Sequence, residues 1–215
     1  FLSQSDLLLF EEMKKNPRRY AVAGEGDWGV VDGLVYENWK EQVFDTSEIT
    51  RRATVKSAFG LDFGYTNDPS AFICLLVDET AREIYVFDEM YQKGMSNDDI
   101  GEELVRRGYS KERIRADSAE PKSIAYLRKK YLRRIRAAKK GPDSIMAGVT
   151  LIQDYTIIIH PSCVNFITEI SNYTWATDKF DNKINKPVDD FNHLMDAMRY
   201  AMEDFDGRKG IRIMT

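Results

Sequence analysis

The sequence holds only two cysteines, Cys74 and Cys163. Each sits among apolar neighbours, outside any CxxC or Cys/His spacing, so a zinc site is excluded and buried, reduced thiols are expected. No apolar run approaches the roughly 20 residues that a membrane helix needs. The opening stretch FLSQSDLLLFEEMKKNPRRY lacks the cationic-then-apolar order of a secretory signal, so a soluble protein is expected. Internal repeats and low-complexity tails are absent, and neither sign of charge dominates. The 31 Lys+Arg against 35 Asp+Glu leave a net charge of −4, which argues against a uniformly basic coat for nucleic acid.

What is present suffices for one core, or one core with an appendage: 215 residues, 43% of them hydrophobic. The average charge hides a local concentration. From Lys122 to Lys140 the chain reads KSIAYLRKKYLRRIRAAKK, with nine Lys/Arg and no acid. This segment is helical by pattern, with Ile124, Leu127, Tyr131 and Ile135 at three- and four-residue spacing, closed by Gly141-Pro142.

Residues 1–20 read as an amphipathic helix carrying Leu7, Leu8 and Phe10, ended at Asn16-Pro17. The stretch to Trp39 alternates glycine with short β-branched and aromatic runs, which favours small strands or a hairpin. Its Trp28, Tyr36 and Trp39 would pack a satellite core, with base stacking the alternative. From Thr54, VKSAFGLDFG, AFICLLVDE and EIYVFDEMYQ predict an antiparallel meander. A helix follows, N-capped by Ser96 or Asn97 and ended by Gly108, with Ile100, Leu104 and Val105 on one side. RIRADSAEP then reads as a short strand. Further helices are expected over DSIMAGVTLIQDY, over SCVNFITEISNYTWA packed through Val164, Ile167 and Ile170, and over DDFNHLMDAMRYAMEDF with Phe191, Leu194, Met198 and Ala201 inward; TIIIH is a buried strand. The polar 176–187 segment is a loop or exposed hairpin, an ordinary connection or a guard over a cleft. Strands first, then strands alternating with helices, give an α/β mixed sheet flanked by helices. The expected division is a linker segment with small strands over 1–53, the main domain over 54–206 and a tail over 207–215.

Three carboxylates fall where an element ends or turns. Asp62 closes the first meander strand between Gly60 and Gly64, whose lack of side chains would let a ligand approach. Asp117 ends the strand RIRAD. Asp196 lies on the last helix three residues after His193, on the same face. Burying one such aspartate is costly unless it is hydrogen-bonded, paired or bound to a cation. Several converging would suit Mg²⁺ or Mn²⁺, hard ions that take carboxylate and water. Two ions about 4 Å apart can activate water and stabilise a leaving alkoxide. The plainer alternatives are that Asp62 caps a turn, Asp117 caps the following helix, and Asp196 pairs with Arg199.

GLDFGYTNDPSA, ADSAEP and DDFNHLMDAMRYAM, in that order, resemble the nuclease domain of the large terminase subunit of tailed bacteriophages, of the headful-packaging type. NPRRYAVAGEGDWGVVDGLVYENW resembles the segment that joins ATPase to nuclease in that family, so the likeness spans roughly residues 16–205. The resemblance implies a ribonuclease H-like mixed sheet, an antiparallel meander followed by parallel strands. It implies a divalent-metal endonuclease that cuts concatemeric double-stranded DNA with little sequence preference in the host cytoplasm. By position it puts the ligands of two ions, Mg²⁺ or Mn²⁺, on Asp62, Asp117 and Asp196, with His193 beside them; Glu120 and Asp190 lie near these motifs in the sequence. Arg128, Lys129, Arg133 and Arg134 are candidates to hold DNA phosphates, or simply form a solvated face. No GxxxxGK[ST] phosphate loop occurs, so these residues would not drive translocation themselves. An ATPase domain in cis, portal protein and small terminase subunit are the expected partners. Rival readings are an actin-like ATPase, since DFGYT fits a DxGxT phosphate turn, a recombinase or resolvase of the same fold, and a non-catalytic DNA-binding scaffold.

Overall fold

A computed structural model of the protein describes residues 33–64, 67–139, 141, 143–180 and 183–205. The helix expected over 1–20, Trp28 and the 207–215 tail lie outside the described residues. The meander forms as predicted: β2 (Val55–Asp62), β3 (Pro69–Asp78) and β4 (Glu83–Lys93) pair antiparallel in sequence order. Four short strands extend it by parallel pairing. On one side β5 (Ile114–Ala116) and β6 (Arg136–Ala137) follow β2; on the other β7 (Thr156–Ile159) and β1 (Trp39–Glu41) follow β4. The sheet order is therefore β1-β7-β4-β3-β2-β5-β6. β1, from the segment expected to hold a linker and small strands, forms an edge of the main sheet.

Side chains alternate across a strand, and this period sorts the core into two layers. Phe59, Leu61, Phe72, Cys74, Ile114 and Ala116 point to the face covered by α2 (Asn97–Arg106) and α3 (Pro121–Lys130). Phe59 and Phe72 stack there at 6.1 Å between centroids, with Tyr109 5.4 Å from each. At the other end of this face, α1 (Thr46–Thr50) sets Ile49 on Leu76, Tyr85 and Ile158. Ala58, Ala71, Ile73, Leu75, Ile84 and Ile157 point the opposite way, under α4 (Ser144–Gln153), α5 (Val164–Ile170) and α6 (His193–Ala201). Both cysteines are buried and free, and burial pushes both thiols up from their ordinary range.

Ser96 caps α2 reciprocally with Asp99: its hydroxyl accepts from the Asp99 N–H at 3.2 Å, and the Asp99 carboxylate accepts from the Ser96 N–H at 2.8 Å. Elsewhere the helical patterns run past the true ends. The basic helix stops at Lys130, not Ile135, because Leu132 and Ile135 drop into the core through a tight turn and the chain leaves as β6. Helix α5 ends at Ile170, and Trp175–Thr177 instead form β8, paired with β9 (Lys183–Pro187) in a two-stranded hairpin. Val164, Val105 and Phe191 are exposed rather than inward. Phe191 precedes α6 at φ 55°, while Leu194, Met195, Ala197 and Met198 make the buried face.

Candidate active site

Parallel pairing places two of the acids side by side. Leu61 of β2 lies opposite Ala116 of β5, and the Asp117 N–H donates to the Leu61 carbonyl at 3.0 Å, so Asp62 and Asp117 leave neighbouring strands at the same end. Since Leu61 and Ala116 point into the α2/α3 layer, alternation turns Asp62 and Asp117 to the α6 side. Arg115, two residues from Asp117, confirms that direction by pairing with Asp204 just beyond α6 at 2.5 Å.

Helix α6 brings the rest of the constellation. It lies against β2 closely enough that a Cβ on Gly60 would stand 1.8 Å from the Ala197 carbonyl oxygen. Gly60 therefore admits the helix backbone, not a ligand as the sequence suggested. With the helix so seated, its first turn reaches the end of β2, and His193 Nδ1 stands 3.1 Å from Asp62 Oδ2. Asp196, one turn on, is bound by Arg199, whose Nη2 donates to its Oδ1 at 2.6 Å.

The three acids lie within electrostatic reach of one another. Burial pushes the Asp62 carboxyl up to about 6; the His193 hydrogen bond opposes this, while Asp196 and Asp117 add to it. The Tyr200 phenol is raised first by burial and then by Asp196, Asp62 and Asp117 together. His193 is raised, chiefly by its bond to Asp62. One of the plainer expectations also holds, as Asp196 pairs with Arg199; Asp117 does not cap the following helix, whose N-cap is Glu120, and its carboxylate instead accepts the Ala119 N–H at 3.0 Å in a local turn.

The other residues named from the sequence make contacts of their own. Glu120 accepts from the Ser123 hydroxyl at the start of α3, and Asp190 is exposed. Arg128, Lys129, Arg133 and Arg134 are all exposed; Arg128 donates to the Ile135 carbonyl and Arg134 to the Lys111 carbonyl, both at 3.0 Å. The hairpin's Lys186 and Pro187 line a hollow with Gly141 and Ile145, against the start of α4.

Glu169 is a residue that pattern reading missed. It is 2% exposed on α5, and its Oε2 accepts the Leu194 N–H at 2.6 Å, supplying from another helix the cap that Asn192 does not give α6. Burial pushes its carboxyl up to about 7. Tyr91 packs edge-on to His193 at 6.4 Å and completes the wall. The signal for Glu169 was an acid between Phe166 and Ile170 on an otherwise inward stripe.

Among the described residues, no three His, Cys, Asp or Glu side chains stand close enough to hold a metal ion as placed. The donor set nonetheless suits a hard divalent cation: carboxylate oxygens from three elements, one of them driven toward neutrality chiefly by its burial, with the other two adding to the shift.

A meander extended by parallel strands, layered between helices and carrying acids at the ends of β2 and β5, defines a ribonuclease H-like nuclease fold. The terminase RNase H-like domain model matches residues 62–204, and the chain belongs to that family. The large terminase subunit of Bacillus phage SPP1 is 35% identical, over 98% of this chain and 50% of that protein. The PBSX phage terminase large subunit of Bacillus subtilis is 31% identical over 96% and 48%. The chain thus spans about half the length of these relatives. Among solved structures, the large-terminase nuclease domain of phage SPP1, determined with bound Mn, aligns with a TM-score of 0.73 at 34% identity, covering 80% of this chain and 99% of that one. The P22 large terminase nuclease domain shares the fold at a TM-score of 0.55 and 13% identity, over 82% and 94%.

Proposed function

We propose that this chain is the nuclease portion of a viral DNA-packaging terminase, a divalent-metal-dependent endonuclease that cuts concatemeric double-stranded DNA with little sequence preference. The observation that carries the reading is the burial of Asp62 beside two further carboxylates from β5 and α6, a concentration of negative charge that a cation would relieve. The Mn found in the SPP1 nuclease domain supports the choice of ion. Asp62, Asp117 and Asp196 would hold two ions of Mg²⁺ or Mn²⁺. When bound, such ions supply an activated water and a charge to receive the departing alkoxide.

The chain's own residues perform the remaining work. The strand ends hold Asp62 and Asp117 on a rigid edge, and α6, seated on Gly60 and capped by Glu169, fixes His193 and Asp196 against it. His193 orients the Asp62 carboxylate through Nδ1 and can lend or accept a proton beside it. Lys129 and Arg133, exposed on and just after α3, would hold backbone phosphates with Arg128 and Arg134, which makes binding salt-dependent and nearly sequence-blind. Residues 54–206 are the proposed nuclease domain, with β1 added from the preceding segment. An ATPase domain in cis, portal protein, small terminase subunit and action in the host cytoplasm complete the proposal. The test is plasmid cleavage in Mn²⁺. Asp62→Ala and Asp117→Ala abolish it with the circular-dichroism spectrum unchanged, and cleavage that survives both substitutions rejects the assignment.

A further inference from the structure

Arg199 carries an inference that rests on this ion-site reading and deepens it. Its side chain is only 8% exposed, yet it is a cation three residues from Asp196 on the same helix, an arrangement ordinarily found on a surface. Its route into the interior depends on α4: a Cβ on Gly148 would lie 2.8 Å from Arg199 Cγ and 3.0 Å from Cδ. The guanidinium stacks 5.2 Å from the Tyr200 ring centroid, and its Nε is buried without a hydrogen-bond partner. Gly148, Asp196, Arg199 and Tyr200 together line a groove of about 390 Å³ between α4 and α6.

Stability alone does not account for this pair. A buried ion pair contributes little or nothing over apolar residues of the same volume, and here one donor is left unmet besides. Orientation does account for it. Among the described residues the Asp196 carboxylate is held by a hydrogen bond at Oδ1, which restrains its rotation and leaves Oδ2 as the oxygen available to a cation. We propose that Arg199 is a positioning residue of the ion site, aiming Asp196 at the cation that Asp62 and Asp117 share, with Gly148 providing the space its stem requires.

The sign of the effect separates this role from simple electrostatics. Removing a positive charge beside a carboxylate should tighten cation binding by Coulomb's law. Removing an outer hydrogen bond that orients a ligand weakens it, typically by about 10–100-fold. The experiment is Mn²⁺ titration of the full chain by calorimetry, checked by the electron paramagnetic resonance of free Mn²⁺, with metal-free melting measured in parallel. Arg199→Met should raise the Kd by about 10–100-fold, and Arg199→Lys should recover part of the loss. Gly148→Ala, which displaces the arginine stem while leaving every charge in place, should weaken binding in the same direction. An Mn²⁺ Kd unchanged or tighter in both Arg199→Met and Gly148→Ala overturns the proposal, whatever happens to melting. If Arg199→Met does not fold, the Gly148→Ala Kd decides alone: weakened supports the role, unchanged overturns it. Wild-type protein that binds Mn²⁺ no better than Asp62→Ala defeats the ion-site reading itself, and this inference with it.

Discussion

The two faces of β2 obey opposite rules although they alternate along the same eight residues. Toward α2 and α3 the strand presents Phe59, which joins the aromatic cluster with Phe72 and Tyr109, and Leu61, packed in the same apolar layer. Toward α6 it presents Ala58, Gly60 and Asp62: a small residue, no side chain, and a buried acid. The first face is built by filling volume. The second is built by removing it, so that a helix backbone comes close enough to set His193 and Asp196 beside the strand end. One face therefore supplies packing energy and the other consumes some of it to concentrate charge, as strained functional sites do.

Substitutions on the two faces should consequently separate stability from ion binding. The largest loss is expected from Phe59→Ala, about 3–5 kcal/mol in urea unfolding, with the Mn²⁺ affinity of the remaining folded protein unchanged. A change in affinity as large as that of Asp62→Ala would show that the two faces are not separable.

The pH dependence belongs to the charged side. Folding raises the Asp62 carboxyl to about 6 and the Glu169 carboxyl to about 7, so both bind protons more tightly folded than unfolded. Their contribution is full below the ordinary carboxylate range and is lost as the pH rises through these values. His193, also raised, loses its contribution as the pH climbs through its own folded value. Without metal, stability should fall by on the order of 3 kcal/mol between pH 5 and pH 8, and saturating Mn²⁺ should remove the Asp62 part. Stability that rises over that interval in metal-free protein would contradict the buried-acid picture.

Gly60→Ala should cost about 1–3 kcal/mol by overpacking against the Ala197 carbonyl, and, unlike Phe59→Ala, it should also weaken Mn²⁺ binding because α6 moves. Equal affinity with lowered stability would make Gly60 a packing residue only. The smallest effect on folding lies outside both faces. Lys129→Ala with Arg133→Ala should leave unfolding within about 0.5 kcal/mol of the parent, while lowering the salt slope of DNA binding by about 1–2. An unchanged slope would assign those charges to a solvated surface.

The meander, the capping of α2 by Ser96 and the two acids at strand ends were legible because each depends on neighbours in sequence: alternation, a hydroxyl three residues before an acid, a run of β-branched residues ending in a charge. His193 and Asp196 were legible through helical spacing. The end of the basic helix was not, because Ile135 fits the helical period as well as it fits the turn that returns to the core, and only tertiary packing decides between them. Gly60 was read as an opening for a ligand, since nothing local announces that Ala197, far along the chain, fills the space. Glu169 and Arg199 share that difficulty: one caps a helix from outside it, and the other passes through a gap made by Gly148. Residues whose roles are defined by a distant partner carry no periodic mark.

The central claim is that acids from β2, β5 and α6 share a cation, and locating Mn²⁺ by anomalous scattering in crystals of the full chain tests it most directly. The account predicts an anomalous peak within coordination distance of Asp62 and of Asp117 or Asp196, lost in Asp62→Ala crystals. Peaks confined to other parts of the surface, with the three carboxylates bound only to His193, Arg199 and the backbone, would contradict it.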